Sequence, residues 1–159
     1  MMRTKHMMLG SVILCGCTVL GCSSGAGDKK GFEPGFGEVM TLIQTRHAKL
    51  WFAGEAENWP LASYELDELK EGFDDVAHFH PMFKEVRQPI GHLIATMVDP
   101  SLTEVADAIK AQDAAQFTKA YDRLTAGCNA CHTEAKFGFN VVIRPTTNPF
   151  SNQAFAPPK

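Results

Sequence analysis

The spacing of apolar residues is the feature that most limits how this chain can fold. From about Gly35 onward, apolar residues return every three or four positions, as they do along one face of an α-helix. No segment alternates apolar and polar residues over a useful length before NVVIRP near the end of the chain, so the period-two pattern of strands is missing. We therefore predict an all-α fold.

Residues that favour helix ends divide this pattern. The first predicted helix begins near Gly35 and ends near Gly54, since glycine is common just after a helix. The second begins after Asn58, a good N-terminal capping residue, and ends before Pro81.

The third helical segment is interrupted at Asp99-Pro100, and Ser101 with Glu104 has the capping-box pattern that would restart it. Asp113 would cap the fourth helix. Four helices joined by mostly short connections are typical of an antiparallel four-helix bundle.

The N-terminal segment, residues 1–21, is predicted to be an export signal and not part of the fold. Two basic residues precede a short apolar run that ends at Leu20. The run has about half of the roughly 20 residues that a membrane-spanning helix needs. It leads into VLGC, which looks like a bacterial lipobox, in which Cys22 receives lipid and becomes the mature N-terminus. We predict a periplasmic, lipid-anchored protein, with plain secretion as the alternative.

Three further segments follow the signal. Residues 22–33 are small, polar and glycine-rich, which favours a flexible tether. Residues 34–136 would form the helical domain, and residues 137–159, rich in Pro, Asn and aromatic side chains, an irregular extension. The formal net charge of −3 and the lack of a basic patch argue against nucleic acid as a partner.

The five cysteines reduce to one pair once the signal is set aside. Two would leave with the signal peptide and Cys22 would carry lipid. The remaining pair, Cys128 and Cys131, lies in CNACH, where His132 follows directly. C-x-x-C-H is a haem attachment pattern, because thiols on adjacent turns can form thioethers to the two vinyl groups and the next imidazole can bind the iron. We predict one covalent haem c with His132 as its proximal ligand.

Other uses of a cysteine pair fit the sequence less well. A thioredoxin-like redox pair would need a βαβ context, and a zinc site would need two further ligands at matching spacing. An exported pair could form a disulfide in a structural lipoprotein, but His132 would then be accidental.

The motif lies at the end of the fourth predicted helix, in DAAQFTKAYDRLTAGCNACHTEAKF. This placement resembles the class II c-type cytochromes, the cytochrome c prime family, over about residues 35–137. The resemblance implies a four-helix bundle with thioethers at Cys128 and Cys131 and His132 on the iron. Members of that family either leave the sixth iron site open and bind nitric oxide or carbon monoxide, or supply a first-helix methionine and transfer electrons.

Two residues of the first helix, Met40 and His47, are candidates for the sixth ligand. At 1.5 Å per residue, His132 lies about 28 Å from the bundle end where the fourth helix starts, Met40 about 21 Å and His47 about 10 Å. Met40 is therefore the predicted ligand and His47 the alternative, although core filling is the commoner role of such a methionine. Arg46 is a candidate contact for a haem propionate.

These features predict a carrier of single electrons between periplasmic or membrane redox partners, attached to the membrane only through lipid. No nucleophile–base pair or phosphate-binding loop predicts an enzyme. A haem protein that binds a diatomic gas at an open or displaceable sixth site is the alternative. The sequence does not identify the redox partners, and it leaves open whether the chain forms a homodimer. The extension after Phe137, which relatives usually lack, would fold over the haem edge, dock on a partner or extend loosely.

Overall fold

The structure, a computed structural model, describes residues 32–84 and 86–158. This part of the chain contains five helices: α1 (Phe36–Glu55), α2 (Trp59–Phe79), α3 (Ile90–Met97), α4 (Asp99–Ala111) and α5 (Ala114–Glu134). No strand occurs among these residues, so the all-α prediction is confirmed. The predicted signal over 1–21, the predicted lipidation site Cys22 and most of the predicted tether over 22–33 lie outside the described residues.

Side-chain caps start two of the helices as the sequence predicts. The Oδ1 atom of Asn58 accepts a hydrogen bond from the Leu61 amide at 3.4 Å at the start of α2. At the start of α5, Asp113 accepts from the Gln116 amide at 2.9 Å. Each cap satisfies one amide that the first helical turn leaves without an intrahelical partner.

The third predicted segment consists of two helices, α3 and α4, that meet at Val98. Pro100 lies in the first turn of α4, where its missing N–H costs no intrahelical hydrogen bond. The predicted capping box of Ser101 and Glu104 is wrong, because α4 already begins at Asp99. Glu104 instead forms an ion pair with Arg123 of α5.

Gly54 does not end α1, which continues to Glu55. A Cβ atom at Gly54 would overlap the aromatic ring of Phe117 on α5. The missing side chain therefore serves the close approach of the two helices.

The core lies between all five helices. α1 packs mainly on α2 and α4 on α5, while α5 also contacts α1 and α3. All five helices contribute to its largest fully buried apolar and aromatic side chains, which are Leu50, Leu69, Val76, Leu93, Val98, Val105, Phe117, Tyr121 and Leu124. Among the described helices, none is both long and apolar enough to cross a membrane.

Residues 137–158 form no helix or strand, as predicted, and they pack against the helices. Phe155 is buried against Phe52 of α1, and its carbonyl oxygen accepts a hydrogen bond from Asn58 Nδ2 at 2.9 Å. Arg144 pairs with Asp122 and lies over the Trp51 ring. We call residues 137–158 the tail; it is tied to the core at several points along its length.

Candidate haem site

A cavity of about 350 Å³ lies beside the C-terminal end of α5. Its walls come from α1, α2, α3, α5, the connection between α2 and α3, and the tail. Six apolar side chains, all buried, form much of the wall: Ile43, Phe73, Val86, Ile90, Ile94 and Val98. The volume falls within the range of about 300–1,000 Å³ that is usual for small-molecule and cofactor sites.

All three chemistry-bearing residues of the CNACH motif line this cavity. Cys128 is buried, whereas Cys131 and His132 are partly exposed, and no disulfide joins the two cysteines. Burial raises the pKa of the Cys128 thiol to about 12, and it also raises the pKa of Cys131. Both sulfur atoms are therefore neutral thiols at pH 7.

His132 is oriented by the tail. Its Nδ1 atom lies 2.7 Å from the carbonyl oxygen of Asn140. A carbonyl oxygen only accepts hydrogen bonds, so Nδ1 carries a hydrogen, and in the neutral ring Nε2 then keeps its lone pair. An imidazole in this tautomer can bind a metal ion through Nε2, and the second hydrogen bond fixes its ring.

Met40, on the N-terminal half of α1, lines the same cavity. It is partly buried, and Ile43, one turn further along α1, belongs to the apolar wall. The structure therefore brings Met40 to the same cavity as Cys128, Cys131 and His132.

His47 does not line the cavity, and both of its ring nitrogens contact side chains of α5. Nε2 lies 3.0 Å from Thr125 Oγ1, and the Tyr121 hydroxyl lies 2.9 Å from Nδ1. The Thr125 hydroxyl donates to the Tyr121 carbonyl oxygen, and the Tyr121 hydroxyl donates to the His47 carbonyl oxygen at 2.9 Å, so His47 is held to α5 through both its ring and its backbone. Burial lowers the pKa of His47 to about 4, so the ring is neutral at pH 7.

Arg46 is also directed away from the cavity. Its guanidinium pairs with the buried Glu65 at 3.3 Å and with Glu68 at 2.6 Å, both on α2. Among the described residues that line the cavity, the only lysine or arginine is Lys84, in the connection after α2. The sequence did not single out Lys84, since that connection has no helical spacing to orient its residues.

Two further residues shape the site in ways the sequence did not reveal. A Cβ atom at Gly127 would overlap the carbonyl oxygen of Met97, so this glycine lets α5 approach the end of α3. The amide of Asn129, between the two cysteines, makes two hydrogen bonds of 2.8 Å to the backbone of Val142. No sequence signal marks the two middle positions of C-x-x-C, because the motif constrains only its cysteines and histidine.

The residues around the cavity fit a covalently held haem. They provide two thiols, an imidazole with a free Nε2 and a thioether, on an otherwise largely apolar wall. Within residues 32–84 and 86–158, no three His, Cys, Asp or Glu side chains form a group that could hold a metal ion by themselves. A haem needs no such group, since the porphyrin supplies most of the iron ligands and the protein supplies the axial ones.

Comparisons with known proteins assign no family to the chain. No family model, curated protein or solved structure matches it significantly. The function of the cavity therefore has to be inferred from its own residues.

Proposed function

We propose that this protein is an exported monohaem c-type cytochrome that carries single electrons. One observation carries the proposal: Met40 of α1 and Cys128, Cys131 and His132 of α5 line one largely apolar cavity. The two cysteines would hold the haem by thioethers, and His132 and Met40 would bind its iron. The bound haem would supply an iron that exchanges one electron between its ferrous and ferric states.

In this proposal the chain binds, orients and shields the cofactor. The apolar wall excludes water, and the Asn140 carbonyl keeps the His132 ring in the tautomer that exposes Nε2. Lys84 lines the cavity and would offset propionate charge there, whereas the guanidinium of Arg46 is paired with two carboxylates of α2.

The proposal includes a class II, cytochrome c prime-like architecture. α3 and α4 are separated only by Val98, so together they count as one bent segment. The chain would then be an antiparallel four-helix bundle with the haem between α1 and the end of α5.

The protonation of the cysteines supports haem attachment over thiol chemistry. Redox-active cysteine pairs depend on a thiolate, and their environments lower its pKa. Here burial raises the pKa of both Cys128 and Cys131. A permanent thioether needs no thiolate in the folded protein.

The first test is whether haem is attached. We would express the full chain with its export signal in a host that has haem-attachment machinery, and then extract the purified protein with acidified acetone. We expect one haem per chain to remain bound, and Cys128→Ala combined with Cys131→Ala to abolish attachment. A colourless wild-type protein would contradict the proposal.

The second test assigns the sixth ligand with carbon monoxide. With Met40 on the iron, carbon monoxide should leave the spectrum of the reduced wild type nearly unchanged and shift that of Met40→Ala. His47→Gln is the matched control on the same helix and should behave as the wild type, because His47 lies outside the cavity lining. Immediate binding by the wild type would favour the gas-binding alternative.

The proposed location is the periplasmic face of a bacterial membrane, reached through lipid on Cys22. We expect Cys22→Ser to move the protein from the membrane fraction to the soluble fraction. An unchanged distribution would contradict lipid anchoring and leave the haem proposal intact.

A further inference from the structure

We propose that Asn129 is a positioning residue: it fixes residues 140–142 of the tail so that the Asn140 carbonyl holds the ring of His132. This inference rests on the proposed function, because it assigns a structural purpose to the tail and to a middle position of the haem motif. The haem itself takes no part in the contacts that carry it.

The first of these contacts is a two-point clamp. Asn129 Nδ2 donates to the Val142 carbonyl oxygen, and the Val142 amide donates to Asn129 Oδ1, both at 2.8 Å. Two opposed hydrogen bonds fix the orientation of the side-chain amide and the position of the bound backbone. Asn129 thereby joins the tail to α5 between the two cysteines.

The second contact transmits this position to the imidazole. Asn140 lies two residues before Val142, and its carbonyl oxygen accepts the hydrogen on His132 Nδ1 at 2.7 Å. The intervening turn is closed by backbone hydrogen bonds from Phe137 to the His132 carbonyl at 2.7 Å and from Asn140 to the Phe137 carbonyl at 2.8 Å. The chain therefore leaves α5, turns and returns to α5 within ten residues.

The exposure of the tail shows which of its residues face the helix. Phe139, Val141 and Ile143 are 82%, 63% and 71% exposed, whereas Val142 between them is partly buried. Alternate residues of an extended chain face opposite sides. The two hydrogen bonds to Asn129 therefore fix which residues of the tail face α5, since a shift of one residue would turn Val142 outward.

The chemical effect of the contact is on the iron ligand. A carbonyl that accepts from Nδ1 fixes the tautomer, prevents rotation of the ring and makes Nε2 a stronger electron donor. A stronger donor favours ferric over ferrous iron. Loss of the clamp is therefore expected to raise the reduction potential.

The test compares Asn129→Ala with Asn140→Ala in the haem-loaded full chain. Asn129→Ala removes both clamp hydrogen bonds, whereas Asn140→Ala keeps the backbone carbonyl that contacts His132. We expect exchange of the His132 Nδ1 hydrogen with solvent to be faster by about tenfold or more in Asn129→Ala, with a higher reduction potential. Asn140→Ala should match the wild type in both. Unchanged values in Asn129→Ala, or equal changes in both variants, would overturn the proposal.

A measurement on the wild-type chain without haem separates this inference from the proposed function. Nitrogen-15 chemical shifts of neutral His132 should identify the Nδ1–H tautomer, and the Val142 amide should be protected from exchange. The Nε2–H tautomer or an unprotected Val142 amide would refute the positioning role even if haem attaches. Both measurements remain decisive if Asn129→Ala does not fold, because they need no variant.

Discussion

At the scale of single residues, the buried His47 makes stability depend on pH. Its pKa falls from the ordinary 6.5 to about 4, because burial disfavours the charged ring. As the pH falls below 6.5, the unfolded chain binds a proton that the folded chain still excludes. Above pH 6.5 the neutral His47 does not reduce the free energy of unfolding. As the pH falls from 6.5 towards 4, preferential protonation of the unfolded chain lowers the free energy of unfolding by about 3 kcal/mol.

Urea unfolding at pH 7.5 and at pH 4.5 measures this loss, and His47→Gln is the comparison. Carboxylates titrate in both proteins, so only the difference between their pH dependences belongs to His47. We expect the variant to lose less free energy of unfolding over this range than the wild type. Identical losses would show that His47 accepts its proton in the folded state, against the lowered pKa.

Helix geometry predicted one part of the site from the sequence. The 1.5 Å rise per residue favoured Met40 over His47 as the sixth ligand; Met40 lines the cavity and His47 does not, whereas ligation itself stays a prediction. It could not identify Asn129, because the partner of Asn129 is a backbone segment in the irregular tail. Contacts between a helix and an aperiodic segment leave no repeat in the sequence.

At the scale of elements, the tail behaves as a structural part of the molecule. Phe155, near its end, is only 7% exposed and packs on Phe52 and Phe150. Its carbonyl oxygen also accepts from the buried amide of Asn58, which caps α2. The end of the tail is therefore joined to the turn between α1 and α2, which is 97 residues away in the sequence.

The substitution Phe155→Ala tests this role. Removing a buried phenylalanine ring leaves a cavity, and we expect the free energy of unfolding to fall by roughly 3 kcal/mol or more. Phe139→Ala is the matched control, because Phe139 belongs to the same tail and is 82% exposed. We expect it to change stability by less than about 0.5 kcal/mol. Equal effects in urea unfolding would show that the tail does not contribute to the core.

Element boundaries were predictable where one local interaction decides them. Asn58 and Asp113 cap their helices as expected, since a cap needs only residues within one turn. The start of α4 was predicted three residues late: with Ser101 as the cap it would begin at Leu102, but it begins at Asp99, because Pro100 itself suits the first turn of a helix. Gly54 was expected to end α1, but its lack of a side chain serves a contact with Phe117, which the local sequence cannot reveal.

At the scale of the whole molecule, the cavity depends on residues that are distant in sequence. Met40 and Ile43 lie on α1, Phe73 on α2, Ile94 on α3 and Cys128 on α5. The haem proposed for this cavity would therefore contact most of the fold at once. Its attachment should stabilise the folded chain as a whole, since a group that binds only the folded state shifts the unfolding equilibrium.

We expect the full chain without haem to unfold at a temperature roughly 5–10 °C below that of the haem-loaded chain. The six buried side chains of the apolar wall would lose the contacts they make with the porphyrin, whereas the helices also pack on one another elsewhere. Thermal unfolding by circular dichroism, on the same sequence expressed with and without haem-attachment machinery and in reducing buffer, measures the difference. Similar helical signals at 20 °C would show that both preparations are folded before heating. Equal midpoints would mean that the cavity wall gains nothing from the cofactor, and the haem would then have to lie outside this cavity.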